Sequence, residues 1–189
     1  MKVFTLFAKE NWFSDRYGAE WNSQDLDFIV QNPQDADIIW ILSPWIWTKI
    51  SRNVLENKKI VLTIHHIVPD KFNKQEFIIR DQFVDMYHVP CEKTKTFISQ
   101  HTNKPIKVVG YWIDLNFWQP EDKIEARKEL NLNIEDFIVG SFQRDTEGRD
   151  LKSPKLEKGP DLFIEYLKKN KKKNMRVLLG GWRRQYIIN

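Results

Sequence analysis

The residues of this chain best suited to chemistry are two adjacent histidines, His65-His66, and a run of cations, Arg144, Arg149, Lys152, Lys155 and Lys158, that ends at Gly159-Pro160. The histidines close a nearly continuous apolar run, Lys59-Ile60-Val61-Leu62-Thr63-Ile64, which reads as a strand covered on both faces. A residue directly after such a strand lies at the carboxyl edge of a parallel sheet, where ligand sites form. Adjacent side chains diverge, so one histidine can face a ligand and donate a hydrogen bond to it while the other packs or caps. The cations occupy residues 143–159, a stretch without apolar period that runs from a strand end into a helix start. Free backbone N–H groups and the helix dipole favour an anion at such a place, Arg clamps phosphate oxygens as a fork, and Lys adds a point charge. A diphosphate is the natural guest. Asp145, Glu147, Asp150 and Glu157 partly neutralise the stretch, so a solvated surface segment is the competing reading. No third ligand stands at zinc-like spacing from the histidines, and no metal site is expected. The chain has no G-x-S-x-G elbow, no G-x-G-x-x-G and no Walker loop.

The elements that must position these residues alternate between short β-rich runs and helical patterns, the habit of parallel α/β sheets. Strands are predicted over residues 1–7, 37–42, 59–64, about 83–89 and 106–109, which makes about five before residue 112. Ser23 is expected to cap a helix with Asp25 in its first turn and Leu26, Ile29 and Val30 on one face. Ile46, Ile50 and Val54, spaced by four, predict a helix before the third strand, and Phe97 and Ile98 mark another. The pattern restarts after Pro120: Glu121 and Asp122 open a helix, residues 137–142 form a strand, Pro160 and Asp161 open a helix with Leu162, Phe163, Tyr166 and Leu167 on one side, and residues 176–180 form a strand. His88 and His101 stand alone and read as packing or surface residues.

With 189 residues, 41% hydrophobic and 30% charged, the chain has enough apolar content to bury a core, and its charges interrupt every run long enough to span a membrane. A single Cys excludes an intramolecular disulfide framework and a cysteine-rich zinc site, and fits a reducing cytoplasm. The formal charge of +4 lies wholly in residues 121–189, where 16 Lys+Arg face 12 Asp+Glu; residues 1–120 are neutral. Such a surplus suits nucleic acid, an anionic membrane or a phosphorylated small molecule. Eight Trp is a heavy load, read chiefly as packing, with stacking on sugars or bases as the alternative. Five lysines around Asn170, from Lys168 to Lys173, suit the negative end of a helix dipole.

The stretch from Val108 to Pro120, Val-Val-Gly-Tyr-Trp-Ile-Asp-Leu-Asn-Phe-Trp-Gln-Pro, followed by Ala126-Arg127-Lys128-Glu129-Leu130-Asn131-Leu132, resembles the interdomain region of retaining glycosyltransferases of the GT-B fold, family 4. That family reads Asn-Gly-Val-Asp, Phe-x-Pro, then a helix with Arg-x-x-Leu-x-Leu. Arg144 and Glu157-Lys158-Gly159-Pro160-Asp161-Leu162 resemble its Gly-Arg and Glu-Lys-Gly elements, Val177 to Gly181 its strand ending in glycine, and Leu62 to His66 its acceptor-domain strand ending in His. Together these span residues 59 to 181.

The resemblance implies a Rossmann-like parallel sheet flanked by helices over residues 1–120, the acceptor-side domain, and over 121–189 a linker helix and the truncated start of a donor-binding domain, a partial Rossmann-like β-α-β unit. It implies sugar transfer from a nucleotide-diphosphate sugar to a sugar, lipid-linked or protein acceptor, without cofactor or obligatory metal. His65 matches the histidine near the donor sugar and is the expected catalytic residue; Arg144 and Lys158, with Gly159, match the diphosphate site; His66 and Asp114, the latter matching the hinge aspartate, are further candidates. The chain departs from the pattern at Trp112, in place of the hinge glycine, and at Gln119, and Asn11 to Trp21 has no glycine-rich loop. The family's Glu-x7-Glu element, which holds donor sugar and ribose and follows the glycine-ended strand, would lie past Asn189, so the chain alone is expected to be incomplete or inactive. Its unfinished second sheet is expected to pack on the first domain or pair with a second copy, as a homodimer. The rival expectation is a nucleic-acid or anionic-surface binding module built from Lys168 to Lys173, Arg183 and Arg184, with Trp182 as a stacking platform. A cytoplasmic location, peripheral to the membrane for a lipid-linked acceptor, fits the leading expectation.

Overall fold

In the computed structural model, which describes residues 1–10, 12–24, 26–148 and 151–189, the chain forms two compact units, Met1–Gln119 and Pro120–Asn189. In unit 1, β1 (Val3–Leu6), β2 (Ile38–Ile41), β3 (Lys59–Thr63), β4 (Met86–Val89) and β5 (Ile106–Val108) pair in sequence order, all parallel. The fold class is therefore the one the alternating pattern predicts, an α/β protein with a Rossmann-like sheet. Because paired parallel residues share a face, Ile39, Ile41, Ile60, Leu62, Tyr87 and Val89 form one continuous apolar surface. It is buried under Val54 and Leu55 of α2 (Arg52–Asn57), Phe77 of α3 (Lys74–Asp81) and Ile98 of α4 (Glu92–Ile98).

The opposite face carries Trp40 and is covered by α1 (Phe13–Asn22). Trp21 meets Trp40 edge-on at 5.1 Å, and Trp112 stacks on Tyr17 at 3.3 Å and lies 5.6 Å from Trp40. The Trp that replaces the hinge glycine is thus a packing residue of this face. Cover is incomplete: an apolar groove of about 510 Å³ remains beside Val3, Phe28, Val61 and Met86. Beneath it the polar atoms satisfy one another. The Trp40 indole donates to Thr63 Oγ1 at 2.9 Å, Thr63 bonds His88 Nδ1 at 3.0 Å, and His88 Nε2 bonds the Val109 carbonyl at 2.9 Å. A carbonyl only accepts, so His88 carries its proton on Nε2 and the Thr63 hydroxyl donates to Nδ1. His101 stacks on Phe72 at 4.7 Å, so both solitary histidines pack.

Two helix expectations are corrected. The helix near Ser23 lies earlier, ending at Asn22, and the Ser23 hydroxyl donates to the Glu20 carbonyl. Serine satisfies a helix end as readily as a helix start. Leu26 is exposed, Ile29 forms a parallel bridge with Val3, and Asp25 lies outside the described residues. The stripe Ile46, Ile50, Val54 is buried throughout, but it spans a 3-10 turn (Pro44–Lys49), an extended Ile50 and α2, whose first turn is capped by Ser51. α3, capped by Asn73, was not anticipated.

Unit 2 holds α5 (Lys123–Glu129), β6 (Phe137–Ser141), α6 (Pro160–Lys169), β7 (Met175–Leu179) and a short α7 (Gln185–Ile188), with β6 and β7 parallel. This is the β-α-β unit that the sequence predicts. Asp122 caps α5 by accepting from Ile124 and Glu125 N–H, and Arg127 Nη1 gathers the carbonyls of Asn133, Ile134 and Asp136. Ile124 of α5 and Leu130 just after it are exposed. Among the described residues of unit 2 the one buried apolar side chain is that of Pro160; Asp136, Ser141, Asp145, Thr146 and Arg184 are also buried.

The stabilising apolar core therefore lies in unit 1. Leu62→Ala should cost about 3 kcal/mol, while Leu162→Ala on the exposed face of α6 should change stability by less than about 0.5 kcal/mol. Urea denaturation followed by tryptophan fluorescence checks both, and equal effects would contradict this division.

Candidate functional site

In unit 1 the chain leaves β1 through α1, touches β1 at the isolated Ile29–Val3 bridge, and then pairs β2 with it. The carboxyl ends of the parallel strands, where ligands of such sheets bind, all lie at one edge. Ala8 N–H donates to Ser43 Oγ at 3.2 Å, and Ser43 Oγ donates to Ser14 Oγ at 3.2 Å, which ties the ends of β1 and β2 to α1. The anion position at the start of α1 is filled by the chain itself. The Asp15 carboxylate accepts from Lys9 N–H at 2.8 Å, Glu10 N–H at 2.5 Å and Trp12 N–H at 3.0 Å. Asp15 thus does internally what a bound phosphate would do at a glycine-rich loop.

His65 sits at this edge, half-buried. Its Nε2 donates to the Leu42 carbonyl at 2.7 Å, which fixes the tautomer, and its Nδ1 accepts from the Tyr111 hydroxyl at 2.9 Å. Both ring nitrogens are engaged within the chain. Burial pushes the His65 pKa down, against the opposing Leu42 hydrogen bond, and burial also pushes His88 down and Tyr111 up to about 12. Phe13 meets His65 edge-on at 5.8 Å and Tyr111 at 4.6 Å. Trp12 and Trp45, both exposed, contact each other at 5.9 Å. His66 is exposed. Asp114 lies elsewhere in unit 1. Its Oδ1 accepts from Asn116 N–H at 2.9 Å, closing a turn, and it lines a groove of about 490 Å³ with Glu20, Trp21 and Trp112.

In unit 2 the charged stretch after β6 is ordered at its base. Thr146 bridges Pro154, Glu147 N–H donates to Ser153 O, and Lys155 N–H donates to Asp145 O. Arg149 and Asp150 lie outside the described residues. Gln143 Nε2 donates to the Lys158 carbonyl at 2.5 Å, which sets the residue preceding Arg144 against the backbone of Lys158. Lys158 is exposed and Arg144 half-buried. Lys155 is committed to Glu157 at 2.5 Å and Glu147 at 3.9 Å. Gly159 takes φ 62°, a left-handed conformation that suits glycine, and α6 follows it with no side-chain cap. The first N–H groups of α6 consequently have no side chain supplying an acceptor. Asp145, one of the acids expected to neutralise the loop, is buried and accepts from Tyr186 and Ile187 N–H at the start of α7. Arg184, assigned by the rival expectation to a surface patch, is also buried, whereas Trp182 is exposed under Arg183 at 4.5 Å.

Sequence reasoning missed Tyr111, Asp15 and the buried state of Arg184. Asp15 carried a usable signal, an acid three residues after Trp12 at a helix start; the Tyr111 bond spans 46 residues and carried none. Among the described residues no cluster of three His, Cys, Asp or Glu suits a metal, and no helix is long and apolar enough to cross a membrane.

This is an α/β protein with a Rossmann-like parallel sheet and a second parallel β-α-β unit. No protein-family model and no curated protein matches the chain. Among solved structures, Anabaena HepE (Alr3699), crystallised in complex with UDP and glucose, resembles it with a TM-score of 0.58 at 10% identity, over 98% of this chain and 71% of that one. At that identity the likeness establishes the fold.

Two predictions follow from the histidines. Their folded pKa values lie below the unfolded value of about 6.5, so the unfolded state binds more protons at acid pH, and stability should fall as pH drops from about 7 to 5. Urea midpoints across that range check this, and a flat profile would contradict it. Tyr111→Phe removes the O–H donor that favours neutral His65, so the His65 pKa read by NMR should rise.

Proposed function

We propose that the chain is a glycosyltransferase of the retaining GT-B type, its unit 1 the acceptor-side domain and its unit 2 the beginning of the domain that holds a nucleotide-diphosphate sugar. The observation that carries the reading is the start of α6: a left-handed Gly159, a helix end without a side-chain cap, and Lys158 joined through Gln143 to the segment bearing Arg144. The fold likeness to a protein crystallised with UDP and glucose supports it. Arg144 and Lys158 would hold the diphosphate and stabilise its charge as the glycosidic bond breaks, an electrostatic contribution that needs no metal. His65 would serve near the donor sugar, Gly159 would let the diphosphate approach the start of α6 with no side chain in between, and His66 and Asp114 would contribute to acceptor geometry. The acceptor, a sugar, lipid-linked or protein group, meets the exposed aromatic rings near His65. The enzyme would work in the cytoplasm, at the membrane surface for a lipid-linked acceptor. That Pro160 is the one buried apolar side chain among the described residues of unit 2 supports pairing with a second copy. Transfer by this chain alone would be weak or absent.

The second reading, a nucleic-acid or anionic-surface binder, is favoured by the exposed lysines Lys168, Lys169, Lys171, Lys172 and Lys173. It predicts affinity that falls steeply with salt.

Calorimetric titration with UDP separates the two. Saturable binding with a shallow salt response is expected, and Arg144→Ala and Lys158→Ala should each weaken it about tenfold, the scale of a charge-assisted hydrogen bond. Unchanged affinity in both variants overturns the site.

A further inference from the structure

Arg184 is 4% exposed. Its Nη2 donates to Ser141 Oγ at 2.7 Å, while Nε and Nη1, both sealed from solvent, have no hydrogen-bond partner. A guanidinium stays charged and carries five N–H donors, so one bond to a neutral hydroxyl leaves a buried cation largely uncompensated. Asp145, the buried acid nearby in the hydrogen-bond network, spends its two oxygens on the N–H groups of Tyr186 and Ile187. Among the described residues no carboxylate pairs with Arg184.

Its position explains what the cation would be for. Ser141 ends β6, and Gly180 N–H donates to the Ser141 carbonyl at 3.0 Å, which joins it to the end of β7. Asp145 N–H donates to the Arg183 carbonyl at 2.9 Å, so residues 144–145 run alongside 183–184. Gln143 brings the Lys158 backbone to the same loop. Three cationic residues thus stand on segments gathered at one end of the β6–β7 pair, the end where ligands of such sheets bind.

We propose that Arg184 is a third phosphate-binding residue of this end of unit 2, its Nε–H and Nη1–H reserved for the oxygens of a diphosphate. The proposal rests on the diphosphate reading of Arg144 and Lys158 and adds a residue that the resemblance does not supply. Binding would move the turn from Gly180 to Arg184, in which Gly181 and Arg183 hold φ of 85° and 58°, and admit the anion to N–H groups that the ligand-free chain keeps unpaired.

The test is calorimetric titration of the full chain with inorganic pyrophosphate, comparing the unaltered protein with Arg144→Ala, Arg184→Met and Arg184→Lys. The expected result is at least a tenfold loss of affinity in Arg184→Met, partial recovery in Arg184→Lys, and a ligand-free melting temperature in Arg184→Met no lower than that of the unaltered protein, because an unpaired buried charge has been removed. Affinity unchanged in Arg184→Met but weakened in Arg144→Ala overturns the role of Arg184 and leaves the diphosphate reading standing. No pyrophosphate binding to the unaltered protein overturns both. Should Arg184→Met fail to fold, the Arg184 Nε–H resonance of the unaltered protein, assigned against Arg184→Lys, decides: it must shift on pyrophosphate titration, and a signal that stays in place overturns the proposal.

Discussion

The parallel pairing of β1 to β5 is the constraint from which the rest of unit 1 follows. Ile41, Leu62 and Tyr87 come into one buried row only in this register, and a slip of one residue would turn that row to the opposite face. With the register set, every strand delivers its carboxyl end to the same edge. Leu42 and His65 then sit one strand apart, close enough for the His65 ring to bond the Leu42 carbonyl. The histidine is therefore held by the sheet itself rather than by a flexible loop.

Apolar burial gives the two units different characters. Unit 1 closes an aliphatic and aromatic core over its sheet and threads the series Trp40, Thr63, His88, Val109 through it, where each donor has an acceptor. Buried polar networks of this kind fix a unique arrangement when complete. In unit 2 the buried groups are predominantly polar, and the guanidinium of Arg184 is left with two N–H groups unpaired, while Ile124 of α5 and Leu162 of α6 are exposed. Both units keep some buried polar atoms without partners, Tyr17 and Trp21 in unit 1 among them, but among the described residues Arg184 is the fully buried cation in that state.

The start of α1 and the start of α6 show one physical rule used in two ways. Both helices follow a strand and present free N–H groups with a favourable dipole for negative charge. At α1 the chain answers with its own Asp15 and closes the position. At α6 it supplies Gly159, which brings no side chain to compete, with Lys158 just before it and Asp161 in the first turn. The proposed diphosphate position rests on this contrast.

The sequence by itself determined the strands and their order of appearance, because continuous apolar runs and charged breaks are local and show in the string. It also marked His65 at a strand end, the Asp122 cap and the glycine opening of α6, each governed by neighbours a few residues away. The tertiary structure alone decided that Trp112 is a packing residue against Tyr17, that Tyr111 closes on His65, and that Arg184 is buried beside Ser141. Those outcomes depend on segments brought together from 40 to about 95 positions apart, and no local preference of the intervening chain encodes which side chains meet when the sheet closes.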